Sequence, residues 1–149
     1  MDMHLLSKFS RAEGSATIEF IVVGIGIITP LIYIALAVLT LHSASFAANS
    51  AAWEAARTFM TSDNVAQGNR SAIRSVQQAY VDHDVSGAAP TVSVVCTNGP
   101  CLSPGSLLTI EVESYVALPL IPRWGDGSVF AMPVSAEVTV LVDEFRQAG

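Results

Sequence analysis

FIVVGIGIITPLIYIALAVLTL, Phe20 to Leu41, is a stretch of 22 residues without a charged side chain. The charge-free run reaches further: between Glu19 and Glu54 stand 34 residues with no Asp, Glu, Lys or Arg. A helix needs roughly 20 apolar residues to cross the hydrocarbon core of a bilayer. At about 1.5 Å rise per residue, this stretch spans about 33 Å. A buried helix of a soluble domain is usually shorter and amphipathic. The stretch is therefore expected to be a transmembrane helix. Pro30, near its middle, removes one backbone donor and should kink or locally loosen the helix, with Thr29 able to bond a freed carbonyl. Gly24 and Gly26 add flexibility to the first half.

The rest of the chain is short of charge too. The 149 residues are 51% hydrophobic and 13% charged, with 7 Lys plus Arg against 13 Asp plus Glu, a net charge of −6. Mean hydropathy is +0.49. Residues 1–19 hold 5 charges and residues 54–149 hold 15, so the outer 96 residues are about 16% charged (15/96). A soluble domain averages about 25%. Long disorder is excluded, because disordered chains are polar and charged. A pI near 4.8 speaks against nucleic acid as a partner, since the chain repels phosphates. The length allows one domain, not two.

On the N-terminal side stands MDMHLLSKFSRAEGSATIE, residues 1–19. A secretory signal has a basic start, a short apolar stretch and then a small-residue cleavage site. Here Gly14, Ser15 and Ala16 precede the apolar stretch, which is too long for such a signal. A lipoprotein signal is excluded because no Cys follows. Lys8 and Arg11 lie on the leader side, and no further Lys or Arg occurs until Arg57. The positive-inside rule counts cations, so the leader is expected in the cytoplasm and residues after about 42 outside.

On the C-terminal side the character changes to HSASFAANSAAWEAARTFM, residues 42–60. Ala44, Ala48, Ala52 and Ala56 recur at intervals of four, beside Ser43, Ala47, Ala51 and Ala55. They form a small-residue face that lets another helix approach closely, while Phe46, Trp53 and Phe59 fall elsewhere. The first helix should therefore continue to about Met60, roughly 45 residues in all. Thr61-Ser62-Asp63-Asn64 reads as a break and N-cap. A second helix is expected over about Val65 to Val81, with Val65, Ile73, Val76, Ala79 and Tyr80 sharing a face and Arg70 and Arg74 outside. Gly68 weakens it. Gly87 to Pro90 read as a loop.

Alternation then takes over. Thr91 to Cys96 read as a strand and Thr97-Asn98-Gly99-Pro100 as a turn. Leu108, Ile110 and Val112 alternate with Thr109, Glu111 and Glu113. Val134, Ala136, Val138, Val140 and Val142 alternate with Ser135, Glu137, Thr139 and Leu141. About three strands make a small antiparallel sheet with one buried face, covered by the outer part of the long helix. The expected class is α+β. The expected divisions are a leader over 1–14, a transmembrane helix over 15–42 and an outer domain over 43–149. That domain comprises a helical stem over 43–82 and the sheet over 91–142. Residues 117–133, ALPLIPRWGDGSVFAMP, form an apolar, Pro-rich loop carrying Leu118, Leu120, Ile121, Trp124 and Phe130. Such a loop either folds over the core or makes a contact surface.

Catalytic chemistry finds little support. Cys96 and Cys101 lack the further ligands that zinc needs. Outside the membrane, two cysteines flanking an Asn-Gly-Pro turn should be oxidised to a disulfide. His4 lies in the leader and His42 at the membrane edge. Asp82-His83-Asp84 is a possible metal cluster but reads more simply as a solvated loop. Asn69-Arg70-Ser71 fits a glycosylation acceptor, a match too common to weigh. No phosphate-binding loop, His-Glu-x-x-His helix or Gly-x-Ser-x-Gly elbow occurs. No enzyme and no cofactor are expected.

Gly14-Ser15-Ala16-Thr17-Ile18-Glu19-Phe20 resembles the processing site of type IV prepilins. In that family a membrane aspartyl peptidase cuts after the Gly, and the fifth mature residue is Glu. Cleavage after Gly14 would make Ser15 the first residue and Glu19 the fifth. A carboxylate at the start of a membrane helix is costly unless paired. In a pilin-like assembly its partner is the mature amino group of its own or a neighbouring chain, and it suits the positive end of the helix dipole.

Over the first 60 residues, the chain looks like a TadE-like protein, a pseudopilin or minor pilin of tight-adherence (Flp-type) pilus systems. Ala51-Ala52-Trp53-Glu54-Ala55-Ala56-Arg57 matches the family's Ala/Gly/Arg-rich segment. Met132-Pro133-Val134-Ser135-Ala136 through Val142-Asp143 resembles the closing strand of several members. Major Flp pilins are much shorter, so the outer domain argues against the main fibre subunit. The resemblance implies a non-enzymatic role in pilus assembly at the bacterial cell surface. Implied partners are membrane lipid, the prepilin peptidase, other pilins and pseudopilins, the inner-membrane platform and the assembly ATPase. The alternative is an uncleaved, single-pass, membrane-anchored extracellular binding module.

Overall fold

The computed structural model describes residues 12–85, 89–119 and 131–144. Two helices and three strands follow in order: α1 (Ala12–Met60), α2 (Val65–Asp82), β1 (Thr91–Thr97), β2 (Leu107–Ala117) and β3 (Ala131–Leu141). The chain divides into two units between Ala37 and Val38. α1 contributes to both, and its helical assignment runs through Pro30 without interruption.

In the first unit the described aliphatic side chains are mostly exposed. Phe20 is 80% exposed, and Ile21 to Ile34 are mostly exposed. So much uncovered apolar surface is unstable in water and needs lipid or other apolar helices around it. Residues Ala16–Met60 are long and apolar enough to cross a membrane once.

The second unit is an α+β head. Its sheet is a meander in the order β1-β2-β3, antiparallel throughout. Leu108, Ile110 and Val112 on β2, with Val134, Ala136 and Val138 on β3, face the core as their alternation predicts. The outer part of α1 lies in the same core. Both alanine ridges, Ala44-Ala48-Ala52-Ala56 and Ala47-Ala51-Ala55, are buried there with Phe59 and with Ala72, Val76, Ala79 and Tyr80 of α2. The small-residue face is thus filled within the chain. Phe46 and Trp53, on the other side of α1, are 61% and 60% exposed.

The break between helices falls where the sequence places it. Asn64 caps α2, its Oδ1 accepting from the Gln67 N–H at 2.9 Å. Ser62 Oγ donates to the Thr58 carbonyl at 2.8 Å, occupying an end of α1. α2 closes on a left-handed residue, Asp84 (φ 53°). The Val85 N–H reaches Tyr80 O and the Asp84 N–H reaches Val81 O, the paired bonds that terminate many helices.

Two expectations need correction. Val65 and Ile73 are 40% and 46% exposed, so they do not join the buried face of α2. Gly68 and Ala72 take that place, because α2 meets α1 too closely for longer side chains. The apolar loop is also shorter than 117–133. Ala117 still belongs to β2, and Ala131, Met132 and Pro133 belong to β3, paired with Ala117, Val116 and Tyr115. Pro133 fits there because β3 is an edge strand, where a missing N–H can be tolerated.

Candidate assembly surfaces

Gly14, Ser15 and Glu19 all lie within α1, and Glu19 is exposed. The helix therefore begins before the apolar run and carries the carboxylate at its entrance. Around the same turn Ile18, Phe20 and Ile21 are also exposed, at 66%, 80% and 51%. Charge and grease share the surface of one turn. A carboxylate so placed is costly in hydrocarbon and gains most from a cationic partner.

Cys96 and Cys101 are joined in a disulfide, with Cα atoms 5.3 Å apart. Cys96 ends the core-facing alternation of β1, opposite Leu108. Cys101 sits in the connection to β2, where Asn98 and Leu102 have positive φ of 65° and 69°. The bond closes a loop whose far end is tied down separately. The Gly105 N–H donates to Val142 O at 3.1 Å, and the Val142 N–H donates to Ser106 O at 2.8 Å. Ser106 is fully buried, and its hydroxyl donates to Ser103 O. The turn expected at Thr97 to Pro100 is thus only the first part of a longer, bonded connection.

Of the proposed contact-loop residues, Leu118 is half-buried at the end of β2. Leu120, Ile121 and Trp124 lie outside the described residues. Ala44, Ala48, Ala52 and Ala56 hold helix packing within the head. α2 meets α1 through Thr58 Oγ1 and Ser75 Oγ, 3.3 Å apart, and through Gly68 under the Phe59 ring. Ser43 Oγ donates to the His83 carbonyl at 3.4 Å. Around Asp82-His83-Asp84, the Asp82 carboxylate accepts from Gln78 Nε2 at 2.7 Å. Among the described residues no three His, Cys, Asp or Glu side chains converge as a metal site.

One surface escaped the sequence reading. On α1, His42 and Phe46 stack edge to face with ring centres 5.4 Å apart. Trp53 lies seven residues after Phe46, on the same side. The i, i+4 and i+11 spacing of these rings is a helical stripe. No family model, no curated protein and no solved structure matches the chain.

Proposed function

We propose that the chain is a non-enzymatic minor pilin or pseudopilin that takes part in assembly of a tight-adherence pilus at the bacterial cell surface. The observation that carries this reading is the spacing at the entrance of α1. Gly14 is followed by Glu19 at the fifth position after it, and then by an apolar helix with no charge until Glu54. Cleavage after Gly14 would free an amino group on Ser15, one helical turn from Glu19. That amine, on the same or a neighbouring chain, would supply a cation for the carboxylate.

The exposure of the apolar part of α1 supports the same reading. A mostly exposed apolar helix can exchange lipid for neighbouring helices without unfolding, because lipid tails and aliphatic side chains are equally apolar. The head packs on the outer turns of the same helix and supplies a folded, disulfide-bonded surface. Membrane lipid, a prepilin peptidase, other pilins, the inner-membrane platform and the assembly ATPase are the partners this role needs. The orientation follows from Lys8 and Arg11: leader inside, head outside.

N-terminal sequencing of the membrane-extracted protein tests the reading. A mature chain starting at Ser15 is expected, and Gly14→Arg should leave the full-length precursor and abolish surface piliation. If Gly14→Arg changes neither mass nor piliation, the chain is instead an uncleaved membrane-anchored module.

A further inference from the structure

The head carries two faces of opposite charge that meet no opposite charge among the described residues; on the acidic one, the Glu111 carboxylate accepts only from the Ser93 hydroxyl, at 3.4 Å. On the outward face of the sheet, Glu111 stands directly opposite Glu137 across the β2–β3 ladder, with Glu113 two residues further along β2. None of the three strands contains a Lys or Arg. Like charges placed opposite each other on a sheet are destabilising, so folding of the head alone gives no reason for this pair. On α2, Arg70 and Arg74 flank Ile73, and all three are exposed. Arg74 Nε donates to the Arg70 carbonyl, and among the described residues neither guanidinium meets a carboxylate. The two faces lie on different sides of the head. α2 sits against the inner side of the sheet through Tyr80 and Ser114 of β2, whereas Glu111, Glu113 and Glu137 point from the outer side.

The spacings match. Residues one helical turn apart have Cβ atoms about 5–6 Å apart. Cross-strand neighbours have Cβ atoms about 4.5–5.5 Å apart. Two guanidiniums on α2 can therefore each meet a carboxylate of the sheet face, with Ile73 covered between them. Neither face can pair with its own image, because that would oppose like charges. The complement of each is the other face of a second copy. Such a contact is heterologous, and repeated contacts of that kind build a ring or an open filament.

We infer that copies of this chain associate head to tail, the Arg70–Arg74 face of α2 in one copy seated on the Glu111–Glu113–Glu137 face of the sheet in the next. The contact does not depend on cleavage after Gly14. Its failure would leave the pilin reading standing, and the converse also holds.

Sedimentation of the full chain in detergent tests this. Two double variants are compared with the parent: Arg70→Glu with Arg74→Glu, and Glu111→Arg with Glu137→Arg. Each alone should lose self-association by roughly tenfold or more, since like charges then face each other. An equimolar mixture of the two should recover it, because each supplies the face that the other needs. Salt at about 0.5 M should weaken both the parent and the mixed assembly. A variant whose circular dichroism departs from the parent's is replaced by its Gln counterpart, with loss of association at low salt as the readout. A monomeric parent, a variant that associates as the parent does, or a mixture that stays dissociated overturns the inference.

Discussion

The Tyr80 hydroxyl and Ser114 Oγ lie 2.8 Å apart inside the head and join α2 to the inner face of β2. Both residues are buried, at 3% and 2% exposure. Ser114 stands where the alternation of β2 calls for an apolar side chain, between Val112 and Val116. It is accommodated because the phenol on α2 satisfies it. Removing either partner leaves the other unpaired in an apolar surround. Ser114→Ala and Tyr80→Phe should each cost about 1–3 kcal/mol. The double variant should cost less than their sum, since it strands neither group. Urea unfolding of the four proteins measures this, and additive losses would remove the pair's role.

Gly68 offers a second test at the helix contact. A Cβ there would lie 2.9 Å from Cδ2 of Phe59 and 3.1 Å from its Cγ. Phe59 is fully buried, so its ring has little room to retreat. In an open helix, Gly→Ala would stabilise by up to about 1 kcal/mol. Here overpacking, typically about 1–3 kcal/mol, opposes that gain. Gly68→Ala should lower the melting temperature by a few degrees, whereas Gln77→Ala, on the exposed face of α2, should leave it nearly unchanged. A rise in melting temperature for Gly68→Ala would show that α1 and α2 can separate cheaply.

That glycine also marks how far the sequence can be read. The apolar run, the break at Asn64 and the alternation of β2 and β3 are local signals, and the elements appear where those signals place them. The face of α2 is not local. Val76, Ala79 and Tyr80 are buried as expected, yet Gly68 and Ala72 stand beside them in place of Val65 and Ile73. The spacing between helices set that choice, and an alanine-rich α1 demands small partners. Pro133 similarly reads as loop, because nothing in its neighbours says that β3 is an edge. The assembly residues differ again. Gly14 and Glu19 are legible as a spacing, but the processing and pairing proposed for them leave no trace in the fold.

The disulfide should stabilise the head modestly. In the chain-entropy account, closing so short a loop contributes about 2 kcal/mol. The connection is held independently by the Gly105, Ser106 and Val142 backbone bonds. Cys96→Ser with Cys101→Ser should therefore lower the urea midpoint without unfolding the head. Thiol labelling of the exported, non-reduced parent should find neither cysteine reactive. Free thiols in that sample would show that the bond does not form in the compartment where the head resides.

Glu19→Gln separates a carboxylate needed for assembly from one that merely marks the end of the apolar run. The substitution keeps the shape of the side chain and removes its charge. An acidic side chain in a membrane helix costs about 2.5–3.5 kcal/mol at the centre, and less at an end. Gln should therefore insert at least as readily, and the membrane-bound amount should not fall. Cleavage after Gly14 should proceed, because the change lies five residues beyond the cut. On the proposed function, what the variant loses is the pairing of a carboxylate with the amine of Ser15. Recovery of the chain in sheared surface fibres should fall by roughly tenfold, the effect of losing about 1.4 kcal/mol per contact. Glu19→Asp, which keeps the charge on a shorter stem, should recover part of that loss. If the Gln variant enters fibres as well as the parent does, Glu19 sets no register and serves only as the polar boundary of α1.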